Sequence, residues 1–193
     1  MSEEKLQFYR VTDTYLQFLK QIEPKVHLNY PHRKKPYIGI ILTIGSHQYH
    51  APLSSYKPEK YDRIKNSNKT IFKVYGKDQN EQLAVIHLNN MFPIIQTEVE
   101  WMVFQQEPQG YRNLLEKEYR FIVANQETIR KRASDLYQDV IKGNTFYSRI
   151  SNDFALLEKE YRKFNKNRLP ADSGSGLPRA LMKTTNRNWR VKL

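Results

Sequence analysis

Tyr37-Ile38-Gly39-Ile40-Ile41-Leu42-Thr43-Ile44 is the stretch on which the fold turns. Its near-continuous apolar character and β-branched side chains suit a buried strand better than a helix. Gly45-Ser46 follows as a two-residue hairpin turn with glycine first. The return strand is then Gln48-Tyr49-His50-Ala51, and Pro52, which has no N–H for the ladder, is expected to end it. Upstream, Gln7–Val11 reads as a short strand. Thr12-Asp13 caps a helix that carries Leu16, Leu19 and Ile22 on one face and closes at Pro24. Downstream, Thr70–Tyr75, Leu83–Leu88 and the proline-bearing Met91–Ile95 read as three further strands. The period changes at Tyr111. Leu114, Leu115, Tyr119 and Ile122 open a helical region that runs through Leu136, Tyr137, Val140 and Ile141 to a stop at Gly143, with a break near Asn125. A last helix starts at Ser151-Asn152 and aligns Phe154, Leu157, Tyr161 and Phe164. The whole reads as a single α+β domain over residues 1–167.

The 193 residues hold 32 Lys+Arg against 20 Asp+Glu, a formal charge of +12. Residues 168–193 carry +5 of it and turn to Pro, Ser, Gly and Arg, with Ser173-Gly174-Ser175-Gly176 resembling a linker. They read as a basic flexible tail outside the fold. The remaining +7 makes the body basic in its own right and points to a polyanion, nucleic acid before an acidic membrane surface. With no cysteine there is no disulfide framework, no thiolate nucleophile and no cysteine-type zinc site. The acidic start Met1-Ser2-Glu3-Glu4 is unlike a signal peptide, and no apolar run approaches a membrane span. A cytoplasmic protein is expected.

His50-Ala51-Pro52-Leu53-Ser54-Ser55-Tyr56-Lys57-Pro58 is the segment richest in chemistry. If Pro52 ends a strand, two hydroxyls and an ammonium stand on a loop beyond a sheet, where reactive groups commonly sit. A polar turn with a solvated lysine accounts for the same residues. Ser54 and Lys57 have the spacing of the penicillin-binding Ser-x-x-Lys, but its companion elements are absent. No HExxH, no grouped carboxylates and no glycine-rich phosphate cradle appear, so no metal and no cofactor are expected. His87 alternates with Val85 on a strand and reads as structural or partly exposed. The Glu/Lys runs at 116–120 and 158–162 read as solvated helix surface. Basic residues interleave with rings at Tyr30, Arg33, Lys34, Lys35 and Tyr37, and again at Tyr56, Lys57, Lys60, Tyr61, Arg63 and Lys65. Such a mix supplies phosphate contacts and stacking platforms for single-stranded RNA. A basic solvated surface has the same composition.

In their order along the chain these segments resemble the ToxN/AbiQ family, the endoribonuclease toxins of type III toxin–antitoxin systems. The resemblance rests on Phe8-Tyr9, Tyr15-Leu16-x-x-Leu19 and Lys35-Pro36-Tyr37-Ile38-Gly39-Ile40-Ile41-Leu42. It continues through Tyr49-x-Ala51-Pro52-Leu53-Ser54-Ser55-x-Lys57, Leu88-x-x-Met91-x-Pro93-Ile94-Ile95 and Leu156-Leu157-Glu158-x-x-Tyr161-Arg162-x-Phe164, and spans residues 7–165. It implies a strongly twisted antiparallel β-sheet core with surrounding helices, distantly like the MazF/Kid toxins. It also implies a sequence-specific, metal-independent RNase in which a ribose 2′-OH attacks the phosphate, leaving 2′,3′-cyclic phosphate and 5′-OH ends. The implied partner is a repeated pseudoknot antitoxin RNA, processed by the toxin and held with it in a closed protein–RNA assembly. Cellular or phage RNA would be the other substrate, in abortive infection against phage.

By position, Ser54, Ser55 and Lys57 match the family's active-site stretch, and Lys35 and Tyr15 match positions lining the same groove. Tyr9, Arg33, Lys34, Tyr37, Tyr56, Lys60 and Lys65 are the expected RNA contacts. Ser54 stands where some relatives have threonine, and Tyr56 where a proline can occur. Attack by an internal 2′-OH needs alignment and charge stabilisation, not a cofactor. A non-catalytic RNA-binding module is the alternative reading of the same surface.

Overall fold

The computed structural model describes residues 5–31, 34–78 and 80–164. Arg33 and the tail 168–193 lie outside the described residues. The first strand, β1 (Gln7–Val11), leads into α1 (Asp13–Ile22), where the Thr12 hydroxyl caps the helix by accepting from the Tyr15 N–H. Then come β2 (Tyr37–Ile44), β3 (His47–Ser55), the single turn α2 (Pro58–Tyr61), β4 (Ile71–Tyr75) and β5 (Gln82–His87). Two short strands follow, β6 (Phe92–Pro93) and β7 (Val99–Trp101). The C-terminal part is helical: α3 (Gln109–Ala124), α4 (Gln126–Ile141), α5 (Thr145–Ile150) and α6 (Phe154–Glu160). The strands lie in the order β4-β5-β3-β2-β1-β7 with β6 added to β3, and every pairing is antiparallel. The α+β reading and its antiparallel sheet therefore hold.

Gly45 takes φ +57°, the left-handed conformation that glycine adopts without a Cβ clash, and closes the β2–β3 hairpin where the sequence placed it. Pro52 does not end the return strand. It pairs with Tyr37, and β3 continues to Ser55. The Leu53 N–H donates to the Pro36 carbonyl on the β2 side, so by strand alternation the missing proline N–H falls on the other side. There β6 has already left, after His50, and β5 begins only at Leu53. The proline sits in a gap between two partners and removes no ladder bond.

The main core lies between the sheet and the helices α3 and α4, where Leu53, Phe72, Val74 and Ile86 meet Leu115, Ile122, Ile129 and Leu136. A second cluster under α1 joins Tyr15, Leu16 and Leu19 to Tyr37, Phe92, Leu157 and Tyr161. A third, small one holds Tyr61 of α2 against Ile71 and Val85. Each fully buried aliphatic or aromatic side chain contributes about 1.5–3 kcal/mol of transfer free energy. His50 is buried as well, 1% exposed, and neither ring nitrogen has a hydrogen-bond partner among the described residues. Burial pushes its pKa down to about 3, so it packs as a neutral flat ring, edge-on to Tyr9 at 4.8 Å.

The helix carboxylates expected in solvent are not all there. Glu118 is buried, and Glu158 accepts hydrogen bonds from the Tyr49 and Tyr137 hydroxyls at 2.8 and 2.9 Å. Each stands on a helix face that the sheet turns inward, which the Glu/Lys alternation did not reveal.

Candidate active site

The end of β3 builds the site. Ser54 pairs with Val85 and Ser55 with Ala84 across the β3–β5 ladder. Neighbouring strand residues face opposite sides, so these hydroxyls diverge instead of sharing a loop. Ser54 turns to the face covered by α2, and Ser55 to a recess bordered by Tyr111 and Leu114 of α3. The Tyr56 N–H extends the ladder by donating to the Leu83 carbonyl at 3.0 Å. Pro58 then fits the first helical position, where no N–H is needed, and the Lys57 carbonyl accepts the first bonds of α2. This leaves the Lys57 side chain exposed at the strand–helix corner.

Two adjoining cavities, about 160 and 180 Å³, share Tyr30, Lys35, Leu53, Ser54 and Lys57. One extends to Lys34, Ser55, Tyr111 and the buried Glu118; the other to His27, Lys60, Tyr61 and His87. A wider recess continues past Lys34 and Ser55 to the Arg10–Glu107 ion pair. Together they form one groove, with lysines along most of its length. The Lys35 ammonium lies over the Tyr30 ring at 4.6 Å and donates to the Leu28 carbonyl at 2.7 Å. Its half-burial lowers its pKa. The Ser54 hydroxyl lies 2.7 Å from His87 Nε2. The Tyr61 hydroxyl is 3.4 Å from that nitrogen and 3.5 Å from Ser54, long for hydrogen bonds. Burial first, then the positive neighbours His27, Lys35 and Lys60, push the His87 pKa down to about 4. The imidazole is neutral at pH 7.

The structure thus brings together Lys34, Lys35, Ser54, Ser55, Lys57 and Lys60. It does not bring Tyr15 or Tyr37 to the groove. Both are fully buried in the cluster under α1; the Tyr15 hydroxyl donates to the Pro93 carbonyl at 2.8 Å, and that of Tyr37 has no hydrogen-bond partner among the described residues. Tyr9 is half-buried on β1 with its ring against His50. Tyr56 leans on Tyr61 at 5.5 Å and donates to Asp62 at 2.7 Å, while Lys65 is exposed in the turn after α2. His87, read as structural or partly exposed, is half-buried and lines the cavity that holds Ser54. Its alternation with Val85 was visible, but the face it shares with Ser54 is fixed only by the β3–β5 pairing. Among the described residues no three His, Asp or Glu side chains converge as a metal site, and no helix is long and apolar enough to cross a membrane.

An antiparallel sheet backed by helices, with a lysine-lined groove where β3 runs out, defines an α+β protein shaped to hold a polyanion. The chain belongs to the ToxN toxin family of type III toxin–antitoxin systems, whose family model matches residues 7–162. It is similar to Endoribonuclease ToxN of Pectobacterium atrosepticum, 34% identical over 176 residues that cover 88% of this chain and 99% of the relative. Endoribonuclease AbiQ of Lactococcus lactis subsp. lactis is 27% identical over 167 residues, covering 83% and 90%. Among solved structures, one of a bacterial antiviral system regulated by a processed non-coding RNA matches with TM-score 0.78 at 33% identity, covering 83% of this chain and 99% of that one. That of AbiQ, a lactococcal anti-phage endoribonuclease, matches with TM-score 0.76 at 25% identity, covering 83% and 98%.

Proposed function

We propose that this groove cuts RNA by attack of a ribose 2′-OH on the adjoining phosphate, with no metal ion, and that the protein is held in check by a repeated pseudoknot antitoxin RNA bound across the same surface. The coarser statement rests on the family: the chain is an endoribonuclease toxin of a type III system, like the relatives it resembles. The observation that carries the chemistry is that Lys35, Lys57 and Ser54 border the same two cavities. In the reaction the 2′-O–P bond forms as the P–O5′ bond breaks, the proton given up by the 2′-OH ends, by way of solvent, on the departing 5′-oxygen as the 5′-OH, and negative charge grows on the non-bridging oxygens. Lys57 and Lys35 meet that charge, and Lys35 is already held in place through the Leu28 carbonyl and the Tyr30 ring. Ser55, on the other face of the strand, donates to a phosphate oxygen and helps align the scissile group. Lys34 and Lys60 extend the phosphate track at either end, and Tyr30, 58% exposed, offers a stacking face.

An RNA that stays in the groove after being cut blocks it, so one surface serves both catalysis and inhibition. The solved antiviral relative regulated by a processed non-coding RNA supports this arrangement, and the anti-phage relative supports phage defence as the setting. Expression in a bacterial host tests it. Growth should stop when the protein is made alone and resume when the repeat RNA is supplied. Normal growth with abundant folded protein and no RNA would leave a binding module as the better reading.

A further inference from the structure

We propose that His87 is a positioning residue that makes the Ser54 hydroxyl the acceptor for the attacking ribose 2′-OH. This rests on the cleavage reading above and adds to it a residue and a role.

Ser54 stands opposite Val85 in the β3–β5 ladder, and His87, two residues further along β5, lies on the same face and diagonal to it. That geometry delivers Nε2 to 2.7 Å from the Ser54 oxygen. Tyr61 of α2 closes over the pair, its ring 5.9 Å from the imidazole. Ser54 is therefore fixed from behind and open toward the groove.

What the groove lacks at this end explains the need. Lys35, Lys57 and Lys60 are hydrogen-bond donors only. They suit phosphate oxygens but cannot receive the 2′-OH. Among the described residues no carboxylate borders the cavity that holds Ser54 and His87; Glu118 belongs to the neighbouring one. Within this cavity the acceptor then comes from a neutral group, and Ser54 is the hydroxyl that His87 holds in place. Burial and the facing His27, Lys35 and Lys60 keep the imidazole neutral. In the tautomer that carries its proton on Nδ1, Nε2 receives the Ser54 O–H, and the lone pairs of the serine oxygen are left for the groove. No proton need leave Ser54 for this. The bond sets the direction of the hydroxyl, and direction is what the 2′-OH requires before in-line attack.

Steady-state cleavage of a short unstructured RNA by the full chain tests this, with melting temperature as the check on folding. In His87→Leu, kcat should fall about 10- to 100-fold while KM stays within about threefold, because the substrate still binds but meets a free rotor. His87→Gln places an amide oxygen near the position of Nε2 and should recover most of that loss. In a Ser54→Ala background the leucine substitution should have no further effect, since His87 acts only through Ser54. If His87→Leu fails to fold, the cycle is run with His87→Phe. Wild-type kcat in a folded His87→Leu protein would overturn the proposal. So would a loss of equal size with and without the Ser54 hydroxyl. Wild-type protein that leaves the RNA whole would overturn the cleavage reading, and the role of His87 with it.

Discussion

Lys57→Ala is expected to slow RNA cleavage by about 10²–10³-fold, or ~2.7–4 kcal/mol, by analogy with the loss of one oxyanion-hole donor. The fold should be untouched. Lys57 is exposed, and among the described residues its ammonium takes no hydrogen bond or ion pair, so its removal leaves nothing buried unpaired. RNA affinity should fall only modestly, because Lys34, Lys35 and Lys60 still line the groove. Lys35 makes a less clean test, since its ammonium also holds the Leu28 carbonyl. Single-turnover cleavage with matched circular dichroism spectra gives the readout. A folded Lys57→Ala protein cutting at the wild-type rate would remove Lys57 from the reaction.

Gly39→Ala should destabilise the protein by about 1–3 kcal/mol, the usual cost of forcing extra atoms into a packed core. A Cβ at this position would stand 2.2 Å from both Cδ2 and Nε2 of His50. The ring has little room to retreat: it is 1% exposed, on a central strand, with Tyr9 packed against it. A second substitution, His50→Ala, opens space at the clash and should restore part of the loss. The denaturant midpoint of the single and double variants measures both effects. An unchanged midpoint in Gly39→Ala would mean that the β2–β3 packing described for these residues is wrong.

The elements that local pattern determines were legible. The apolar run at 37–44, the left-handed Gly45 and the two long helices meeting at Asn125 all follow from short-range periodicity and backbone chemistry. The site was legible where it is continuous in sequence: Lys34-Lys35 enters β2, and Ser54, Ser55 and Lys57 leave β3. It was not legible where pairing joins distant residues. His87 reaches Ser54, 33 positions away, through the β3–β5 ladder, and nothing local indicates which face of β5 meets the groove. Pro52 misled for the same reason, because a proline is tolerated mid-strand only where the neighbouring strand happens to be missing. Tyr15 shows the converse. It lies one helical turn before Leu19 on the stripe that α1 buries, so its own periodicity pointed to the core, while the resemblance pointed to the groove.

The most direct measurement is end-group analysis of a short unstructured RNA after incubation with the purified protein in EDTA. Attack by the 2′-OH, assisted only by the lysines and hydroxyls of the groove, requires fragments that end in a 2′,3′-cyclic phosphate and begin with a free 5′-OH, formed without divalent metal. Fragments with 3′-OH and 5′-phosphate ends, or cleavage that stops in EDTA and returns with one particular metal, would contradict this mechanism.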